Sequence, residues 1–261
     1  MIELFPLEDH VALRTPRRVL RYVLIWCSAG EVTLVVDGTE FLLAENQLIT
    51  ITSGQYHFSK KTQAGKGFVL EFTYDFFCKN DSDIELVFHN GLFCHFDQNE
   101  VVTVTDRILV ERLFGSIKKD LEKQPYQWLI AAHACLELLL VAINRAKIER
   151  GDEIWKPDAL FLKFLELVRA NFRHNYPLNH MATALQTTEA RLNELAKLHT
   201  GKTAQMVIYG LVASEAKRLL TYEKLSVKEV AATLAFNDPF YFSNFFKKQV
   251  GVSPTAFRKQ I

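Results

Sequence analysis

The sequence predicts an α+β protein in two parts, a β module with trailing helices followed by an all-helical module. Three observations predict it. Short apolar runs punctuated by glycine fill the first 75 residues, leucines then recur every four positions, and a degenerate repeat occupies the C-terminal third. The chain of 261 residues is 49% apolar and 23% charged, with 31 basic against 30 acidic side chains. That composition excludes a disordered chain and leaves room for one or two folded domains.

The β elements come first. Tyr22 to Cys27 is an apolar run ending at Ala29-Gly30, and Val32 to Val36 leads through Asp37-Gly38 into Phe41 to Leu43. Asp-Gly between apolar runs predicts a hairpin, because both central residues of a type I′ turn need positive φ. Leu48 to Thr52 and Gly67 to Phe72 are two further strands, with Gly54 and Gly65 nearby. Close, regular spacing of short strands predicts a small barrel or sandwich.

The period changes after Phe72. A short helix is expected over Asp81 to His89, and Leu109, Leu113, Ile117 and Leu121 form a helical stripe that Pro125 ends. Gln127 to Lys147 is apolar nearly all round and must be covered on more than one side. Either it packs within its own domain or two copies pair across a dimer. His133 and Glu137 interrupt it, so no membrane span is expected. The N-terminus lacks the basic start and cleavage site of a signal peptide, which places the protein in the cytoplasm. Cys27, Cys78, Cys94 and Cys135 form no CxxC pair and read as reduced, buried thiols.

Arg150 to Asp158 is polar and carries Gly151 and Pro157, as a linker does. The expected organisation is therefore residues 1–149 as one domain (β over 1–75, helical over 76–149), a linker over 150–158, and a second domain over 159–261. Charge divides near the same place. Leu160 to Ile261 holds 14 basic and 7 acidic residues, a net +7, whereas Met1 to Ala159 carries −6. A basic module beside an acidic one suggests that only the former meets a polyanion.

The C-terminal repeat sharpens that reading. Its first copy runs Met181-Ala182, Leu185, Leu192, Leu195, Lys197, Gly201, and its second Val230-Ala231, Leu234, Phe242, Phe245, Lys247, Gly251. The second is one residue longer, near Phe236. Ser226-Val227-Lys228-Glu229 fits a capping box, Asp238-Pro239 a helix start matched by Thr188, and Gly201 and Gly251 left-handed caps. Each copy is thus helix, tight turn, helix, the plan by which a second helix enters the major groove. Ala204 to Tyr222 joins them as one helix of roughly 28 Å at about 1.5 Å per residue, close to the ~34 Å between successive major grooves on one face. Leu192, Leu195, Phe242 and Phe245 are expected to face inward.

Residues Phe161 to Arg258 resemble the DNA-binding domain of the AraC/XylS family of bacterial transcription regulators. The resemblance is carried by Leu225 to Ala231, Leu234 to Ser243, Phe246-Lys247-Lys248, Gly251-Val252-Ser253-Pro254 and Phe257-Arg258. Ala235 stands where that family usually has glycine, Glu194 and Asn244 where it often has a basic residue, and Ala196 where an aromatic is usual. The resemblance implies a cupin-like β-barrel over Met1 to Lys147 with helices that dimerise, a homodimer on double-stranded DNA, recruitment of RNA polymerase, and control by a small-molecule effector.

On the outward faces of the reading helices, Ala190, Arg191, Asn193, Glu194, Phe240, Tyr241 and Asn244 are the candidate base readers. Asn pairs with adenine, Glu accepts from cytosine N4, and aromatic rings touch thymine methyls. Lys197, Lys202, Lys247, Lys248 and Arg258 are candidate phosphate contacts. In the β module Tyr22 and Trp26 line one strand face; with His57 they are the candidate effector pocket, or else they fill the core. The strands carry no HxH metal pair, and no GxSxG, Walker or GxGxxG sequence occurs, so no metal, cofactor, catalytic residue or enzymatic activity is expected. A cupin-type enzyme carrying a DNA-binding tail, or a dimeric DNA-binding protein without an effector, are the other readings left open.

Overall fold

The computed structural model describes residues 1–93, 99–152, 155–174, 176–223 and 225–259. They fall into two compact units, Met1–Lys156 and Pro157–Ile261. Cys94, one of the four cysteines, lies outside the described residues, as do Glu153 and Ile154 of the expected linker.

The strands of the first unit are β1 (Ile2–Pro6), β2 (Arg17–Arg18), β3 (Tyr22–Val36), β4 (Thr39–Leu43), β5 (Gln47–Ile51), β6 (Tyr56–Phe72) and β7 (Val101–Thr103). Its helices are α1 (Tyr74–Phe77), α2 (Asp81–Phe88), α3 (Arg107–Lys123) and α4 (Trp128–Glu149). All strands join one antiparallel sheet in the order β1-β6-β3-β5-β7, with β2 on β6 and β4 on β3. The sheet is open, and of the barrel or sandwich expected from strand spacing a closed barrel is not formed among the described residues. Among the described residues β1 and β7 end the order without pairing to each other.

Strand length is the second correction. The runs Tyr22 to Cys27 and Val32 to Val36 belong to one 15-residue strand, because Gly30 (φ 72°) makes a bulge there and not a reversal. β6 likewise runs for 17 residues through Gly65. The Asp37-Gly38 hairpin is present, with φ of 46° and 88° and Val36 paired to Thr39. Gly67 has a different duty. A Cβ there would sit 1.9 Å from the Trp26 carbonyl oxygen, so only glycine permits β6 to lie this close to β3.

Alternation sorts β3 onto two faces. Val23, Ile25, Cys27, Val32, Leu34 and Val36 join Leu43, Ile49, Ile51 and Val69 in an apolar cluster. Tyr22 and Trp26 turn to the other face, where Tyr22 meets Phe72, Phe88 and Phe93, and Trp26 stacks on Phe114 of α3, with Phe68 against both. Charge is also buried in this unit. The Glu71 carboxylate, 1% exposed, pairs with Arg17 at 2.7 Å and Arg21 at 3.2 Å. Burial alone would raise its pKa, but His10 and Arg17 beside it hold it below the ordinary value.

Of the expected α3 stripe Leu113 and Ile117 are buried, together with Val110 and Phe114, whereas Leu109 and Leu121 are half-buried. α4 is 22 residues of mean hydropathy 1.6 in its most apolar window, long and apolar enough to cross a bilayer by length and composition alone. It is built as a core helix. Leu136, Leu139, Leu140 and Ile143 are buried, and buried Asn144 and Lys147 bond to Asn90 and Glu100. Ile130, Leu138 and Ile148 remain exposed along its other side. Of the described thiols Cys27 is buried, and burial raises its pKa; Cys78 and Cys135 are only half-buried.

The segment after α4 is tied to this unit. Arg150 bonds to Asp152, Glu100 and the Val101 carbonyl, and Trp155 exchanges two hydrogen bonds with Asn90 (2.9 and 3.0 Å).

The second unit is all helix: α5 (Ala159–Ala170), α6 (Leu178–Ala184), α7 (Glu189–Thr200), α8 (Ala204–Tyr222), α9 (Val227–Thr233), α10 (Pro239–Val250) and α11 (Pro254–Lys259). Its core takes Phe161, Phe164 and Leu165 from α5, Leu192 and Leu195 from α7, Leu211 and Leu219 from α8, and Phe242 and Phe246 from α10.

Candidate nucleic-acid interface

The repeat seen in the sequence is a repeat of backbone geometry. α6 and α9 have seven residues each, and α7 and α10 have twelve. Both first helices end the same way. Gln186 and Ala235 take left-handed φ of 53° and 57°. On either side the turn closes with a pair of bonds, Thr187 N–H to Ala182 and Gln186 N–H to Thr183 in one copy, Phe236 N–H to Ala231 and Ala235 N–H to Ala232 in the other, at 2.9–3.1 Å. This is a Schellman termination, and it satisfies carbonyls that the helix end would otherwise orphan. Ala182 and Ala231, buried at 4% and 0%, leave space for the second helix to cross.

Both second helices then start on a side-chain cap. Thr188 accepts from Arg191 N–H, and Asp238 accepts from Phe240 and Tyr241 N–H ahead of Pro239 at the first position. They stop at Gly201 and Gly251, left-handed at φ 69° and 91°, each donating to a lysine carbonyl at 2.9 Å. α8, 19 residues long with a Thr203 cap, joins the two halves.

Of the residues expected to read bases, Ala190, Arg191 and Glu194 are exposed on α7, and Phe240, Tyr241 and Asn244 on α10. Phe240 and Tyr241 are 73% and 64% exposed, unusual for rings that size. Arg191 is held by Glu194 at 2.9 Å, with Asp158, the cap of α5, at 3.9 Å. Lys197, Lys202, Lys247 and Lys248 are exposed, and Lys197 and Lys247 hold equivalent places in the last turns of α7 and α10, where helix carbonyls favour a cation.

Two candidates serve the frame. Asn193 is half-buried; its amide donates to the Glu189 carbonyl and accepts the Ala204 N–H that opens α8, both at 3.0 Å. In the second copy Pro254 opens the next helix, has no N–H to satisfy, and is matched by the shorter Ser243. Arg258 is also half-buried and donates to the Leu225 carbonyl at 2.6 Å, fastening α11 to the turn before α9. On the inward face Phe246 is fully covered, whereas Phe245, expected in the core, is half-buried between Phe236 and Tyr209. Neither the Asp158 neighbour of Arg191 nor the role of Asn193 had a sequence signal, since each depends on contacts between helices.

The three residues expected to share an effector pocket are separated. Tyr22 and Trp26 lie on the outer, helix-covered face of β3. His57 pairs with Val36, which belongs to the opposite face. Burial lowers the His57 pKa to about 4, so the ring is neutral; it sits 3.1 Å from the Gln55 carbonyl through Nδ1.

Comparison with known proteins agrees with the C-terminal geometry. Residues 181–260 match the model of a helix-turn-helix domain. The HTH-type transcriptional activator RhaR of Cronobacter sakazakii is 33% identical over 85 residues, 33% of this chain and 30% of that protein. The HTH-type transcriptional activator RhaS of Escherichia fergusonii is 28% identical over 121 residues, 46% of this chain and 43% of that one. The C-terminal domain of AraT from Geobacillus stearothermophilus overlays with a TM-score of 0.38 at 23% identity, over 39% of this chain and 85% of that domain. The chain spans less than half the length of these two curated relatives, which are named as regulators of transcription and not as enzymes. Over residues 181–260 the chain is thus similar to the helix-turn-helix domains of AraC-type transcription regulators.

Proposed function

We propose that this protein is a sequence-specific, double-stranded-DNA-binding regulator of transcription that acts in the cytoplasm and places α7 and α10 in successive major grooves. The single observation that carries this is the duplicated turn. Two copies of one left-handed termination, at Gln186 and Ala235, set two twelve-residue helices with exposed faces on either side of a 19-residue rod. Arg191, Glu194, Phe240, Tyr241 and Asn244 then meet base edges, and Lys197, Lys202, Lys247 and Lys248 meet phosphates. Asn193 and Arg258 are left out, because each is half-buried and bonds to backbone groups within the unit.

The N-terminal unit supplies sensing and pairing, as a cupin-like module would. Pairing as a homodimer is supported by the exposed Ile130, Leu138 and Ile148 of α4. Sensing is supported by Trp26 Nε1, buried on the face of β3 that packs on α3 with no hydrogen-bond partner in the chain among the described residues; His57, on the opposite face, is not part of that site. An effector held there changes how the two DNA-binding units of a dimer are presented, and so the recruitment of RNA polymerase.

Selection of bound fragments from a genomic library, repeated at rising salt, tests the function. A shared site that outlasts the bulk of the fragments supports it. Sequence-blind retention that disappears uniformly as salt rises contradicts it.

A further inference from the structure

We propose that the two reading helices recognise chemically different halves of one site: α10 a thymine-rich half through the methyl groups of thymine, α7 a half containing G·C pairs. This rests on the placement of α7 and α10 in major grooves argued above.

The faces differ in kind. On α10, residues 240, 241, 244 and 248 share the outward side, and the first two turns of that side hold two rings and one amide. No guanidinium or ammonium group precedes Lys247, so no cation on those turns can make the bidentate contact to guanine O6 and N7, the commonest specific contact. The one carboxylate, Asp238, is occupied with the N–H groups of Phe240 and Tyr241. What remains suits a single base pair. Asn244 offers an amide to adenine N6 and N7, and the rings offer apolar surface to the methyl of the thymine opposite.

Of the two rings, Tyr241 is also held in place. Tyr241 lies 6.0 Å from Phe236, Phe236 lies 5.0 Å from Phe245, and Phe245 lies 5.5 Å from Tyr209 on α8. That row of rings anchors the base of the reading face on the connecting helix, so less rotamer freedom is lost on contact with DNA.

α7 carries the opposite chemistry. Arg191 and Glu194 form a bonded pair at 2.9 Å, a donor fork beside an acceptor on one face. Guanine O6 and N7 accept from the former, and cytosine N4 donates to the latter.

Removing a methyl from a well-covered contact costs about fourfold in affinity, from the transfer free energy of one carbon group. The test uses the full chain and a duplex selected from a random pool long enough for two helical turns. The half whose selected bases change in Asn244→Ala belongs to α10. That site is then remade with deoxyuridine for thymine in one half at a time, and Kd is measured by fluorescence anisotropy. Uracil in the α10 half weakens binding about fourfold per contacted methyl and leaves the other half indifferent. Phe240→Ala with Tyr241→Ala removes the response. Both side chains are exposed, and circular dichroism checks that the variant is folded. A site selected with no A·T-rich half, indifference to uracil in both halves, or a response that survives the double variant overturns the assignment while DNA reading stands. Failure to select any sequence overturns the reading of function and this inference with it.

Discussion

Replacing Ala235 by glycine stabilises the second unit although it deletes a methyl group. Ala235 holds φ 57° at the turn between α9 and α10, where a Cβ crowds the following carbonyl. That conformation costs an L-residue about 1–2 kcal/mol. Glycine relieves the strain but frees the unfolded chain, which takes back about 0.4–1 kcal/mol. The net gain is roughly 0.5–1 kcal/mol. The control is Ala232→Gly, the same chemical change three residues earlier at an exposed position inside α9, which costs about 1 kcal/mol. All three tryptophans (Trp26, Trp128, Trp155) belong to the first unit, so fluorescence does not follow the second. Amide hydrogen exchange across α9 and α10 does, because it reads an opening free energy for each peptide. Slower exchange in Ala235→Gly and faster exchange in Ala232→Gly are expected. Equal signs for the two changes would refute the claim that the turn conformation is left-handed under strain.

Three further outcomes follow from the same contacts. The first unit loses stability in mild acid. The His57 pKa lies below its unfolded value, so the unfolded chain binds the extra proton and stability drains away as pH falls from about 6.5 to about 4. About 2 kcal/mol has gone by pH 5. Urea unfolding followed by tryptophan fluorescence reads this, and a midpoint that does not move between neutral pH and pH 5 contradicts it. Asn193→Ala lowers the stability of the second unit by about 1–3 kcal/mol, because the buried Ala204 N–H loses its acceptor; thermal melts by circular dichroism should show a fall that Ser243→Ala does not. Asn244→Ala costs about 1–3 kcal/mol on a selected site and little on scrambled DNA, whereas Lys247→Ala weakens both alike; equal losses from Asn244→Ala on the two duplexes would remove it from the reading face.

Much of the second unit was legible because its signals are local. Ser226 with Glu229, Asp238 before Pro239, and Gly201 and Gly251 each fix a helix end through bonds a few residues long, and all form as expected. The inward face of α10 was harder. Phe242, Phe245 and Phe246 are all aromatic, so periodicity alone does not say that Phe246 is covered while Phe245 rests half-exposed on Tyr209. In the first unit the Asp37-Gly38 turn was legible for the same local reason. The continuity of β3 and β6 was not, since a glycine in a strand signals a bulge or a turn equally, and only pairing with a distant strand decides. Closure of the sheet and the side on which His57 falls depend on register, which is set by long-range contacts.

Hydroxyl-radical footprinting of the full chain on a selected fragment tests the central claim most directly. Two protected patches on one face of the duplex, about one helical turn apart, are expected from two reading helices joined by α8. A single patch, or uniform protection along the fragment, contradicts it.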